Sequence, residues 1–93
     1  MTDDLKDRIH AAAEALKAAG AREVYVFGSA ATGRLREDSD VDLAVAGLPP
    51  QRFFQAMGRA ARALGRPLDL VDLDEANPFT EYLRRKGALQ RVG

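Results

Sequence analysis

Residues 28–43 of this 93-residue chain read GSAATGRLREDSDVDL. This stretch begins with a Gly-Ser pair after the apolar run VYVF, and it ends with Asp40 and Asp42 at a second apolar run. Carboxylates two positions apart on a β-strand point to the same face, with Cα atoms about 6.6 Å apart. A Gly-Ser turn between a strand and a helix offers N–H groups and a hydroxyl to an anion. The stretch therefore predicts a metal-binding carboxylate pair beside a phosphate site, an arrangement typical of chemistry on a nucleoside triphosphate.

The composition predicts a single domain over residues 1–93. Lys+Arg and Asp+Glu both total 14, so the chain has no net charge and is not expected to bind nucleic acid strongly. There is no cysteine, and the one histidine, His10, cannot build a multi-histidine zinc site. No apolar run approaches the roughly 20 residues that span a membrane, and no apolar signal segment begins the chain. We expect a cytoplasmic protein without membrane association.

Apolar periodicity and turn residues divide the chain into alternating strands and helices. Residues 3–19 carry apolar side chains at helical spacing, and the run VYVF is typical of a strand covered on both faces. Asn77 and Pro78 have the order expected at the start of a helix. The predicted helices cover residues 3–19, 29–35, 51–64 and 77–86, and the predicted strands cover 22–27, 41–46 and 67–73, with 88–92 as a short strand or a tail.

The alternation favours an α/β (α+β) fold in which a small mixed β-sheet is flanked by helices. Asp42 and Asp69 both lie within apolar strands, where an unpaired carboxylate is costly to bury. Two accounts remain open from the pattern alone. The carboxylates face solvent on a half-covered sheet, or they share a divalent cation. Asp72 has the opposite strand parity to Asp69 and is expected to face the other side.

The spacing of these residues carries a family resemblance. Gly28 and Ser29, ten intervening residues, and then Asp40 and Asp42 resemble the GS-x10-D-x-D pattern of the polymerase β-type nucleotidyltransferase superfamily. The longer string FGS-x-A-x-G-x5-SD-x-DL is similar to its smallest branch, the minimal nucleotidyltransferases. In that branch a third carboxylate lies in a strand like the LDLV run, which makes Asp69 the third predicted ligand.

The resemblance implies transfer of a nucleoside monophosphate, AMP from ATP, to a hydroxyl group at a two-metal Mg²⁺ site. Asp40 and Asp42 would hold the metal on the triphosphate and share the second metal with Asp69, which would orient or deprotonate the hydroxyl. Gly28 and Ser29 would bind the β- and γ-phosphates.

One residue departs from the pattern. Many family members have arginine directly after the Gly-Ser pair, where this chain has Ala30. The change removes one candidate phosphate contact. Arg34, Arg36 and Arg66 are the residues that could supply positive charge instead, although each also fits a surface position.

The resemblance also implies a protein partner, because larger superfamily members carry a second domain that holds the acceptor and 93 residues leave no room for one. Minimal nucleotidyltransferases typically occur beside HEPN-domain toxins, for which they act as antitoxins, and some adenylylate a tyrosine of the toxin. One alternative is a catalytically weak or inactive antitoxin that neutralises a HEPN partner by binding. Transfer to a small molecule or to RNA is a third reading, and a homo- or hetero-oligomer is compatible with each.

Apolar residues that could contact such a partner occur in two places. One is the apolar face of the predicted helix 51–64, and the other is a C-terminal set. Both equally fit an ordinary core. The C-terminal set consists of Leu83, Ala88, Leu89 and Val92.

Overall fold

The computed structural model describes residues 3–33, 36 and 40–92, which form four helices, four strands and one 3₁₀ turn. In chain order the elements are α1 (Asp3–Ala18), β1 (Glu23–Phe27), α2 (Ser29–Thr32), β2 (Val41–Ala46), a 3₁₀ turn (Pro50–Arg52), α3 (Phe53–Leu64), β3 (Leu68–Asp72), α4 (Pro78–Lys86) and β4 (Gln90–Arg91). The predicted helix 29–35 ends at Thr32, and its positions 34 and 35 lie outside the described residues.

The four strands form one mixed sheet in the order β3-β2-β1-β4. Strand β1 is antiparallel to both β2 and β4, whereas β2 and β3 are parallel. Helix α3 makes the crossover that two parallel neighbours require. The predicted mixed sheet flanked by helices is therefore confirmed, and residues 88–92 contribute a two-residue strand to it.

Alternate residues of β1, β2 and β3 face two different apolar clusters. The larger cluster joins one face of the sheet to α1 and α3, and it includes Leu16, Val24, Leu43 and Leu64. The smaller cluster covers the opposite face, where α4 contributes the buried Leu83; its members are Phe27, Ala44, Ala46, Leu73 and Leu83. Since Asp42 has the strand parity of Ala44 and Ala46, its carboxylate lies on the face of the smaller cluster.

Local sequence signals account for the ends of the helices. The Asn77 side chain accepts a hydrogen bond from the Thr80 N–H, and Thr80 Oγ1 accepts one from the Asn77 N–H, which completes a capping box. Pro50 begins a 3₁₀ turn rather than the α-helix, so α3 starts at Phe53. None of the described helices is both long enough and apolar enough to cross a membrane.

The apolar residues considered as a partner surface divide between core and surface. Leu83 and Val92 are buried and belong to the core clusters, whereas Ala88 is exposed. On α3, Phe54 is 77% exposed although it follows the half-buried Phe53, against which its ring packs edge-on.

Candidate active site

The parallel pairing of β2 with β3 brings two of the predicted carboxylates together. Asp42 and Asp69 are direct partners in the register of these strands. Neighbouring strands lie about 4.8 Å apart, so in-register side chains stand side by side on the same face. Asp42 is half-buried and Asp69 is exposed. The site therefore has one carboxylate set into the sheet and a second that solvent or another molecule can reach.

Asp40 lies just before β2, is exposed and has the strand parity of Asp42. Its charge is close enough to raise the pKa of Asp42. Within residues 3–33, 36 and 40–92, however, no three His, Asp or Glu side chains form a group that could hold a metal ion. The structure thus brings Asp42 and Asp69 together and leaves Asp40 as a nearby third charge.

The electrostatics of the pair favour a cation. Burial raises the pKa of Asp42, and the charge of Asp69, the charge of Asp40 and a hydrogen bond with Asp69 raise it further. Every one of these contributions disfavours the ionised carboxylate. A divalent cation reverses this balance, because Mg²⁺ prefers carboxylate oxygens and binds through one or two of them together with substrate phosphates. The chemistry of this donor set therefore fits the predicted metal.

Gly28 is required where the chain passes Asp42. Phe27 is the strand partner of Asp42, so the turn that follows it runs directly beside that carboxylate. Gly28 has φ +67° and ψ −142°, a conformation that residues with a side chain rarely adopt. A Cβ atom on Gly28 would collide with Asp42 Oδ2 and lie 3.3 Å from Asp42 Cγ. The missing side chain thus leaves room for the carboxylate beside the turn.

Helix α2 starts immediately after Gly28 and exposes the Ser29 side chain at its first position. The first N–H groups of any helix have no partner within it, and they can bind an anion. Ala30 is only 2% exposed and belongs to the larger core cluster. Its side chain therefore packs inward, so residue 30 adds no charged group beside Ser29.

Asp72 and Arg66, two further residues singled out in the sequence, make structural contacts. Asp72 Oδ1 accepts a hydrogen bond of 2.9 Å from the Asp74 N–H, within the turn after β3. Arg66 Nη1 donates one of 3.0 Å to the carbonyl oxygen of Arg36. This second bond connects the start of β3 to the segment before β2. Arg34 lies outside the described residues.

No sequence signal singles out Gln90, yet its side chain contacts the Gly-Ser turn region. Gln90 Nε2 donates a 3.1 Å hydrogen bond to the carbonyl oxygen of Ala31, 59 positions away in sequence. Gln90 also lines an open cleft of about 510 Å³, together with Gly28 and Ser29. Gln90 comes close to the Gly-Ser turn because β4 pairs with β1, which the local sequence does not indicate.

Together, the mixed four-stranded sheet and its flanking helices form a nucleotidyltransferase-type fold. The model of the family described as "Polymerase beta, Nucleotidyltransferase" matches residues 12–89, which include both Gly28 and Asp69. The chain belongs to this family, as its resemblance predicts. No curated protein matches it in sequence.

Solved structures with the same fold include minimal nucleotidyltransferases. One, described as a candidate minimal nucleotidyltransferase, is 29% identical with a TM-score of 0.76, over 98% of this chain and 93% of the other. A toxin–antitoxin structure with AMP-PNP is 24% identical with a TM-score of 0.72, over 95% and 72% of the two chains. A third, at 21% identity and a TM-score of 0.65, covers 100% of this chain and 72% of the other, and contains a tri-AMPylated Shewanella oneidensis HEPN toxin with its MNT antitoxin.

Proposed function

We propose that this protein is a Mg²⁺-dependent nucleotidyltransferase that transfers AMP from ATP to a tyrosine hydroxyl of a HEPN-type toxin and so acts as its antitoxin. The observation that carries the proposal is the in-register pair of Asp42 and Asp69 beside the Gly28 turn. The family to which the chain belongs supports the reaction class. The similar structures support the nucleotide and the partner, since one contains AMP-PNP and another an AMPylated HEPN toxin with an MNT antitoxin.

Asp42 and Asp69 would hold Mg²⁺, and Asp40 is the next carboxylate available on that face. When bound, magnesium supplies positive charge to the triphosphate and to the leaving pyrophosphate. The Ser29 hydroxyl and the N–H groups at the start of α2 would bind the β- and γ-phosphates. Gly28 lets the phosphates approach the backbone next to Asp42, since it places no side chain between them.

The acceptor hydroxyl oxygen attacks the α-phosphorus of ATP and forms a new P–O bond. The bond between that phosphorus and the oxygen bridging to the β-phosphate breaks, and pyrophosphate leaves with the bonding electron pair. Asp69 would orient the hydroxyl and take its proton, because it is the more exposed member of the pair and an incoming side chain can reach it. Half-buried Asp42 would remain the fixed ligand.

The acceptor would be brought by a second protein. Phe54 is 77% exposed on α3, and Phe79 and Tyr82 are about half exposed on α4. Large apolar side chains that solvent reaches are frequent in protein interfaces, and these three supply surface for a helical partner. ATP and Mg²⁺ are abundant in the cytoplasm, so we place the reaction there.

The test is label transfer from α-labelled ATP with Mg²⁺ to a HEPN-type protein, the partner class seen with the similar antitoxin. We expect label on the partner with wild-type protein and with the charge control Asp7→Asn, an exposed position on α1. We expect none with Asp42→Asn or Asp69→Asn. Wild-type protein that binds ATP and the partner but transfers no label would contradict the proposed reaction.

A second candidate function is neutralisation by binding alone. Two observations favour it: no three-carboxylate metal group is preformed within residues 3–33, 36 and 40–92, and Ala30 replaces a common phosphate contact. The double variant Asp40→Asn with Asp42→Asn separates the two functions in cells that express the toxin. Growth rescue equal to that of wild type supports the binding antitoxin, and lost rescue with partner binding retained supports the enzyme.

A further inference from the structure

A cleft of about 510 Å³ lies between the Gly28–Ser29 turn and three residues near the end of the chain. These three residues, Gly87, Ala88 and Gln90, are called the C-terminal wall below. The cleft volume falls within the range of about 300–1,000 Å³ that is usual for small-molecule sites. Gly28 borders both the cleft and Asp42. A molecule in the cleft that extends past Gly28 therefore reaches the carboxylate of Asp42.

The C-terminal wall is fixed to the sheet by β4. Gln90 is the strand partner of Val26, and the Val92 N–H donates a 2.9 Å hydrogen bond to the carbonyl oxygen of Val24. Val92 is itself buried in the larger core cluster. Because strand pairing and a buried side chain both hold this segment, the wall has a defined position relative to β1 and the turn that follows it.

Gln90 connects the wall directly to the turn. Its Nε2 donates the 3.1 Å hydrogen bond to the Ala31 carbonyl oxygen described above. Helix α2 has only four residues, and so short a helix depends on tertiary contacts for its stability. The last carbonyl groups of a helix also lack donors within it. Gln90 supplies one such donor and thereby helps to hold the Gly28–Ser29 turn in place.

We propose that the C-terminal wall forms the second side of the nucleoside triphosphate cleft, and that Gln90 is a positioning residue for the Gly28–Ser29 turn. This inference rests on the proposed function, because it assigns the ligand of the same site. The wall carries no charged side chain, and its two small residues leave space for the nucleotide. Gln90 acts through the turn and not on the reacting atoms.

The test measures the affinity of the full chain for AMP-PNP with Mg²⁺ by calorimetry. Gln90→Met keeps the length of the side chain but loses the donor, and we expect binding weakened about threefold to tenfold, the usual value of one hydrogen bond. Gln55→Met, at an exposed position on α3, is the matched control. Ala88→Trp fills the cleft and should weaken binding by about tenfold or more, while Ala76→Trp, at an exposed loop position, should not.

Two further readouts separate positioning from a general structural role. Gln90→Met should lower the melting temperature of the nucleotide-free protein by no more than roughly 4–8 °C, the effect of losing about 1 kcal/mol in a domain of this size. Its affinity for Mn²⁺ alone should be unchanged, because Asp42 and Asp69 are held by other strands. A larger decrease in melting temperature together with weakened Mn²⁺ binding would overturn the positioning role. Wild-type AMP-PNP affinity in both Gln90→Met and Ala88→Trp would overturn the inference and leave the proposed function standing. A wild-type protein that binds no AMP-PNP would overturn both.

Discussion

Replacing Gly28 with alanine tests whether the absent side chain at this turn makes room for the Asp42 carboxylate. The backbone of Gly28, at φ +67° and ψ −142°, lies in a region in which a side chain costs about 1–3 kcal/mol. The added Cβ also meets Asp42 Oδ2, so the carboxylate must rotate away from its place beside Asp69. For a domain of this size, about 1 kcal/mol lowers the melting temperature by roughly 4–8 °C, so we expect a decrease of roughly 4–24 °C.

Gly33→Ala, at the other end of α2, is the matched control. Gly33 also has a positive φ of +75°, but a Cβ there would meet nothing within 4 Å. It carries a backbone cost of about 1–2 kcal/mol without the collision. We expect thermal unfolding by circular dichroism to show the larger loss in Gly28→Ala, and calorimetry to show lost Mg²⁺–AMP-PNP binding in that variant alone. Equal melting temperatures and equal binding in the two variants would refute the close-approach role of Gly28.

Three other predictions concern stability. Burial first, and then the neighbouring carboxylates, raise the pKa of Asp42 above its usual 3.8. The protonated Asp42 side chain therefore contributes fully to the free energy of unfolding below that pH. This contribution is lost as the pH rises through the folded-state pKa. Without metal at pH 7, Asp42→Asn should therefore melt at a higher temperature than wild type, and the gap should close below about pH 4 or when Mg²⁺ is added. Gly58→Ala, inside α3 with open space at its Cβ, should raise the free energy of unfolding in urea by about 0.5–1 kcal/mol. Asn77→Ala removes the capping box and should lower it by about 1 kcal/mol, whereas Asn77→Asp should retain most of the stability.

Each of these predictions has a contradicting outcome. An Asp42→Asn variant that melts below wild type at pH 7 in chelator would mean that the ionised carboxylate stabilises the apo fold. A destabilised Gly58→Ala would indicate a contact on that face of α3. An Asn77→Asp variant as unstable as Asn77→Ala would show that the α4 cap depends on the amide group and not on its oxygen.

The local parts of the fold follow directly from the sequence. The strand predicted at residues 41–46 has those bounds in the structure, because a mostly apolar run between a polar segment and the turn residues Gly47–Pro50 leaves little choice. The Asn77–Pro78 start of α4 is likewise set by adjacent residues. The helix predicted over residues 51–64 begins at Phe53 instead, because Pro50 starts a 3₁₀ turn and proline suits the first turn of either helix type.

Contacts between distant residues have no comparable sequence signal. Strand parity predicts that Asp42 and Asp69 each face one side of a sheet, but their in-register pairing depends on how α3 returns the chain to β2. The Gln90–Ala31 contact depends on β4 joining the outer edge of β1. Neither the register nor the strand order can be read from local periodicity. Motif spacing in the sequence identifies the candidate site residues, whereas their relative positions are known only from the sheet.

The position of β4 at the outer edge of β1 has a consequence during protein synthesis. Strand β1 contains the uncharged run Val24–Phe27, and its outer edge is paired by residues about 65 positions later in the chain. At translation rates of about 5–20 residues per second, the ribosome takes on the order of 3–13 s to make the intervening segment. Throughout that interval an apolar strand has an unpaired edge, the kind of surface that recruits other strands. The nascent chain therefore carries an unpaired strand edge until the segment that carries Gln90 leaves the ribosome.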